Sequence, residues 1–395
     1  MRLWAGVSAI SAALQRKTFT FVKSQYCFPN IYVLLVGPPG VGKGNAMKKV
    51  GAWLKEIEEI HMSPDGLTKR SFYSTMEQAR CEDLDFSESI NVVDALQDGH
   101  HSLTAFIEEL GVFLHAGDND FIYVLCHVYD TPLQFHYKTE TAGENFMQNV
   151  YFSMLSAVTP KGLKDIFTDQ ALELGISART VIVYSDEKID VEIFGSSSKD
   201  EALEKDLKTD LLRINQIKGE YIFDNDAAQE LVAWANQGFP PIPKDSRFEH
   251  YNARRFVQLV KLCMICAASR RNETIILKED FVQAKSFLLE AERHMPKAVE
   301  TIGSNPYVDQ QRMAVRIVST VWKTLNRGTS EAELRAQLSK DMDPRYSDMV
   351  YNDLSSAGWV DVTGKAPNRI FYPKGMIKEA YNESTKKDPA DKGSS

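Results

Sequence analysis

No apolar run in this chain approaches the ~20 residues that a membrane-spanning helix requires, so no membrane partner is expected. Cysteine is scarce, five among 395 residues at irregular positions. With no secretory signal peptide at the start, that usage points to a reducing cytoplasm. Cys263 and Cys266 form one CxxC, but no second pair accompanies it. They fall in the apolar helical run Phe256–Ala268, where positions three apart share a face. Buried thiols are expected there rather than zinc or redox chemistry. The histidines carry no ligand spacing. His100 and His101 are adjacent and would face opposite ways in a strand, while His61, His115, His127 and His136 stand alone. No Ser-His-Asp arrangement or glycosidase carboxylate pair stands out. Positive charge is in deficit, 46 Lys and Arg against 54 Asp and Glu, for a net charge of −8. Any nucleic-acid binding must use a local basic surface, such as the lining of a ring.

Against these absences stands one strong pattern. The apolar run Ile31-Tyr-Val-Leu-Leu-Val36 reads as a strand buried on both faces. It leads into Gly37, Pro38, Pro39, Gly40, Val41, Gly42, Lys43, Gly44 and Asn45, and a helix is expected over Asn45–Ile60. Strand, glycine-rich turn, lysine and helix, in that order, are what a phosphate-binding P-loop requires. Glycines let successive backbone N–H groups curl toward phosphate oxygens, and the helix N-terminus adds its positive end. Lys43 would reach the terminal phosphates, which points to an ATP-binding site with magnesium. One position departs: Gly44 stands where a Ser or Thr hydroxyl normally ligates the metal. The same Lys-Gly arrangement occurs in adenylate kinases, so a small-molecule kinase is a reading to exclude.

The length and the 43% apolar content suggest two or three domains with real cores. A helix is expected over residues 3–15 and a strand over Arg16–Val22. Further strands are expected over Leu103–Ile107, Val150–Val158 and Thr180–Tyr184, while Thr75–Gln78 and Phe86–Asp98 read as helical or irregular. Strands alternating with helices predict an α/β core with a largely parallel sheet over residues 1–195. Residues 196–303 read as α-helical, interrupted by Gly238-Phe-Pro-Pro-Ile-Pro243. In residues 304–376 a helix over 309–326, a capping box Ser330-Glu-Ala-Glu333 and a helix over Tyr346–Ala357 precede a hairpin signal. That is the order of a winged helix. Residues 377–395 are polar and are expected to be disordered.

A P-loop enzyme needs a second strand ending in acids, one for magnesium and one for the attacking water. Phe106-Ile107-Glu108-Glu109 supplies the pair, Glu108 for the metal, directly or through water, and Glu109 for the water. Glu108 stands where Asp is usual, so the longer side chain must still reach. Thr159, with Ser156 second, ends another strand and is the candidate sensor of the terminal phosphate; a plain Thr-Pro turn explains it equally well. Arg179, just before the strand Thr180–Tyr184, is the arginine-finger candidate, acting across a subunit interface. Lys138, in the polar segment Tyr137–Asn145, is a candidate phosphate contact on a channel loop, with a solvated lysine as the plainer reading. Arg345, Lys365, Arg369 and Lys374 are candidate phosphate contacts of the winged helix. Asp341, Asp343, Asp348 and Asp353 lie in or beside its recognition helix and equally suit protein docking.

Together, several stretches resemble the RecA-like ATPases of phage and prophage replication modules, often described as helicase or primase-helicase proteins. They include Trp4-Ala-Gly-Val-Ser-Ala-Ile10, Pro29 through Lys43, and Phe106-Ile-Glu-Glu-Leu-Gly-Val-Phe-Leu114. Tyr129-Asp-Thr-Pro132, Lys138-Thr-Glu-Thr-Ala-Gly143, Ser156–Pro160, Gly175–Arg179 and Tyr251–Lys261 add to them. The resemblance implies a RecA-like or AAA-type core in a ring, a hexamer in the leading reading, acting on single-stranded or forked DNA in a bacterial host cytoplasm. It also strengthens Arg179 as the finger. The leading expectation is an ATP-hydrolysing replicative helicase. The alternative is a helicase loader or assembly switch, without unwinding activity, that docks replication proteins through its winged helix. Gly44 and Glu108 depart from the family pattern and bear on hydrolysis more than on nucleotide binding.

Overall fold

In a computed structural model the chain is described over residues 1–81, 99–115, 117–139, 143–167, 175–188, 198–299, 308–338 and 347–376. The expectation for Phe86–Asp98, Arg345, the acids Asp341 and Asp343, and the tail after Met376 all lie outside these residues. The fold is mixed α/β, in two compact units divided between Ile302 and Gly303. The helices of residues 198–299 lie in the same unit as the sheet.

The first unit opens with helix α1 (Arg2–Leu14) and the hairpin β1 (Thr18–Val22) and β2 (Gln25–Cys27). Strand β3 (Tyr32–Val36) leads into helix α2 (Lys43–Lys55). Helix α3 (Lys69–Gln78), β4 (Arg80–Cys81), β5 (His100–Ile107), α4 (Leu110–Phe113) and α5 (Asn119–Tyr129) follow. Then come β6 (Gln134–Thr139), β7 (Gly143–Gln148), β8 (Val150–Val158), α6 (Pro160–Ile166), α7 (Ile176–Arg179) and β9 (Thr180–Tyr184). One sheet runs β4-β5-β8-β3-β9, parallel except for the edge strand β4. Every residue of β3 and β8 is buried. Their unbroken apolar runs reflect a sheet covered on both faces.

Two readings of this region change. Helix α2 stops at Lys55 rather than Ile60, because Glu56, Ile57 and Ile60 tighten into i→i+3 turns that drive Ile57 and Ile60 into the core. The polar segment Tyr137–Asn145 belongs to an antiparallel hairpin, β6 on β7. Its inner face carries Phe135 and Tyr137, and the Tyr137 ring stacks on Tyr73 of α3 at 3.5 Å. His100 and His101 are both buried in β5. Burial, helped by Lys17 and Arg16, pushes the His100 imidazole down to about 3. A base whose folded value lies below its unfolded one stays neutral in the fold while the unfolded chain takes up protons. Stability is then full above about 6.5 and is lost progressively as pH falls toward 3. We expect the melting temperature to drop steeply from pH 6.5 to 4.5, and less steeply in His100→Leu. Parallel curves would remove His100 as the source.

The helical part comprises α8 (Ser198–Asn215), α9 (Asn225–Asn236), α10 (Glu249–Arg270) and α11 (Lys278–Val299). Short strands β10 (Gly219–Glu220), β11 (Ile222–Phe223) and β12 (Ile275–Ile276) stitch it to β1 and to itself. Gly238–Pro243 breaks the helical run between α9 and α10, as its prolines lead one to expect. Residues 258–268 of α10 are buried all round. Cys263 and Cys266 sit there with their thiols pushed up by burial. Lys261, also buried and pushed down to about 8, donates to Asn30 O at 3.0 Å and Asn30 Oδ1 at 2.6 Å, fixing α10 to the base of β3. Arg255 and Glu292 form a buried pair between α10 and α11, with Nε–Oε1 at 2.8 Å and Tyr251 donating to the same oxygen at 3.0 Å. Breaking such a pair leaves a buried charge with too few partners. Arg255→Met should therefore cost about 3–5 kcal/mol in urea unfolding; a change below 1 kcal/mol would contradict this.

The second unit holds α12 (Val308–Leu325), β13 (Thr329–Ser330), α13 (Glu331–Leu338), α14 (Ser347–Ser356), β14 (Val360–Thr363) and β15 (Ile370–Pro373). Its small antiparallel sheet has the order β13-β15-β14. Ala314, Val318, Leu334, Leu338, Val350, Tyr351, Leu354 and Phe371 form its core. The capping box is present, Ser330 N donating to Glu333 Oε2 at 3.0 Å and Glu333 N to Ser330 Oγ at 3.3 Å.

Candidate functional site

Because β3, β5 and β8 run parallel, their C-terminal ends open on one edge of the sheet. Those ends carry the glycine-rich turn, Glu108-Glu109 and Thr159. The carboxyl ends of strands in an open α/β sheet are where ligands bind. The turn is shaped by close approach: a Cβ on Gly37 would lie 2.3 Å from Ser185 O, just past β9. Gly40 and Gly42 have φ of 86° and 80°, a left-handed conformation natural only to glycine. Gly42 caps α2, so the first N–H groups of that helix face the turn. Lys43 folds back along it, Nζ donating to Gly37 O at 2.5 Å and Pro38 O at 2.9 Å. Burial lowers its ammonium and the nearby Glu109 carboxylate opposes the shift. An incoming anion has only to replace two carbonyls to engage a lysine already aimed at the turn.

Glu108 lies directly beside Gly44. A Cβ on Gly44 would be 3.4 Å from Glu108 Oε2, so the longer carboxylate arm reaches the space that a Ser or Thr side chain would share. Lys48, one helical turn beyond Gly44, sits 3.3 Å from the same oxygen. That pair is solvated and weak. Among the described residues no group of three or more His, Cys, Asp and Glu is arranged for a metal. Magnesium held by one or two carboxylates, phosphates and water does not need such a group. The donor set of Glu108, with Asn45 exposed on the first turn of α2, fits that ion.

Thr159 caps α6, its Oγ1 accepting from Gly162 N at 3.1 Å. This is the structural role weighed from the sequence, yet the hydroxyl hydrogen remains available to donate. Ser156 is buried and donates to Val33 O at 3.3 Å, so it belongs to the sheet interior. Arg179 stands apart from all of these. It precedes β9, at the opposite end of the sheet and roughly 17 Å along the strand from the level of the turn. Its guanidinium is held by Asp130, Nη2–Oδ2 at 2.5 Å, and it cannot reach this chain's own turn.

Lys138 is exposed on β6 and pairs with Glu144 at 3.2 Å, which His136 also approaches. Lys365 is exposed in the turn between β14 and β15. Arg369, expected among the phosphate contacts, is a correction. It is 7% exposed and its donors go to Glu331 at 2.8 Å, Asn352 at 2.7 Å and Asp348 at 2.9 Å. With its fork spent on internal partners, it is a strut of the second unit. Lys374 pairs with Asp361 at 3.5 Å. Sequence reasoning passed over Asp130 as a site residue, although it lay in a quoted motif, because only the fold brings it to Arg179. Neither a family model nor a curated protein matches this chain. No helix among the described residues is long and apolar enough to cross a membrane.

Proposed function

We propose that this chain is an ATP-hydrolysing DNA motor with a RecA-like or AAA-type core, working as a ring-forming replicative helicase of the phage and prophage kind. The observation that carries the reading is the convergence of Lys43, Glu108, Glu109 and Thr159 at one edge of the parallel sheet. The turn amides and Lys43 hold the phosphates. Glu109 orients the attacking water and accepts its proton, and Thr159 donates toward the terminal phosphate. Glu108 would hold magnesium, which would supply charge neutralisation to the phosphates. Arg179 lies at the opposite end of the sheet from its own turn, so as a finger it would act on a nucleotide bound by a neighbouring copy and would first have to release Asp130. Lys138, paired with Glu144, and Lys365 are exposed and are candidate contacts to DNA.

The alternative is a loader or assembly switch that binds ATP and docks partners through a winged helix. It is favoured by the acidic, partly apolar face of α14, where Asp348 and Met349 are exposed, and by the internal engagement of Arg369. ATP hydrolysis with and without single-stranded DNA separates the two, with Glu109→Gln as the blank. A motor shows DNA-stimulated turnover that falls about 10²–10⁴-fold in Glu109→Gln. Turnover indifferent to DNA, or binding without turnover, favours the switch.

A further inference from the structure

The first helix of the second unit carries its cations in a row. Residues 310–330 include Arg312, Arg316, Lys323 and Arg327 and no Asp or Glu. At 3.6 residues per turn, Arg312, Arg316 and Lys323 of α12 fall within about 40° of one another around the helix axis and span about 16 Å along it. All three are exposed, as is Thr320 between the last two. Among the described residues none of the three makes a hydrogen bond or an ion pair. Arg327, just past the helix, is spent on Glu333 at 2.6 and 2.9 Å. The opposite face of α12 is fixed. Ala314 and Val318 lie in the core of the unit, and the Trp322 ring meets Tyr372 edge to face at 6.1 Å. Helix α14, in the place of a recognition helix, differs: it carries Asp348 and Asp353 and no cation.

We propose that this row on α12 is a nucleic-acid docking surface, gripping the phosphate backbone without reading its sequence. The inference rests on the DNA-motor reading and gives it a contact surface other than the recognition helix. A polyanion gains from guanidinium and ammonium groups that no carboxylate already neutralises, through charge-assisted bonds and released counterions. Arg312, Arg316 and Lys323 have no partner to leave, unlike Arg369, Lys374 and Lys138. Helix α14 offers the same backbone two carboxylates and nothing to hold it. The packed inner face of α12 keeps the row straight, with its charges about 6 Å and then about 10 Å apart along the axis. Fixed spacing of this kind suits a repeating polyanion better than an acidic protein segment.

Fluorescence anisotropy of the full chain with a labelled mixed-sequence DNA strand, with and without ATP, tests this. Arg312→Gln, Arg316→Gln and Lys323→Gln together should weaken binding about 10-fold or more at low salt. They should also make the slope of log affinity against log salt shallower by about 2, since each lost phosphate contact removes about 0.7. A charge-matched control, Lys23→Gln, Lys244→Gln and Lys297→Gln on exposed cations of the first unit, should bind as the unmutated chain does. Arg312→Lys with Arg316→Lys keeps the charges and should keep most of the affinity. Unchanged affinity in the triple α12 variant overturns the proposal. So does an equal loss in the control, which is then an effect of net charge alone, or an equal loss in the lysine variant, which is then a defect of folding. Retained DNA affinity with lost binding of poly-glutamate assigns the row to an acidic protein instead. Binding and DNA-stimulated hydrolysis that survive in the triple variant defeat this inference alone, whereas no DNA binding by the unmutated chain defeats the DNA-motor reading together with it.

Discussion

Arg179→Ala is expected to abolish turnover while leaving nucleotide affinity nearly intact. Removing an arginine finger typically costs ~10³–10⁵ in rate, because the guanidinium meets charge that develops on the phosphoryl group only in the transition state. The geometry fixes what this experiment means. Arg179 lies at the far end of β9 from its own chain's glycine-rich turn, so it would contribute nothing to ground-state binding there. The substitution also leaves Asp130 with Arg254 as its remaining cation. Single-turnover hydrolysis and nucleotide titration separate the two quantities. Equal loss of rate and affinity would sink the trans-acting assignment.

The second large effect concerns Gly44 and Glu108, which the fold places side by side although 64 positions separate them in sequence. Glu108→Gln should reduce magnesium-dependent turnover by roughly 10²–10⁴-fold, since a catalytic metal supplies several kcal/mol of charge stabilisation. Glu108→Asp alone should also be poor, because the shorter arm withdraws from the space beside Gly44. Adding Gly44→Thr to Glu108→Asp replaces the missing oxygen from the other side and should restore a measurable part of the activity. Gly44→Thr in the parent should change activity little, because its Cβ meets the movable Glu108 carboxylate at ordinary contact distance. If the double variant is no better than Glu108→Asp, the two departures are independent and the compensation argument fails.

How much of this was legible in the sequence follows from the distance over which each feature is encoded. The turn Gly37–Asn45 and the acidic strand end Glu108-Glu109 are local patterns, and β3 and β8 announce themselves as unbroken apolar runs because both faces are covered. The hairpin β6–β7 was obscured because only one of its faces packs, leaving His136 and Lys138 outward and the segment polar in composition. Strand order, and with it the gathering of three strand ends on one edge, has no local signature. Arg369 looked like a surface cation because nothing in its own neighbourhood names Glu331, Asp348 and Asn352 as partners. The Asp130 cluster draws on α5, α7 and α10 and exists only once they pack. Pairing across long loops decides such features, and single-residue character does not.

Strand β9 meets the glycine-rich turn at one end, where Ser185 O leaves Gly37 no room for a side chain, and follows Arg179 at the other. In the ring proposed above, the two ends of this five-residue strand would serve different nucleotides, and the strand would couple one site mechanically to the next.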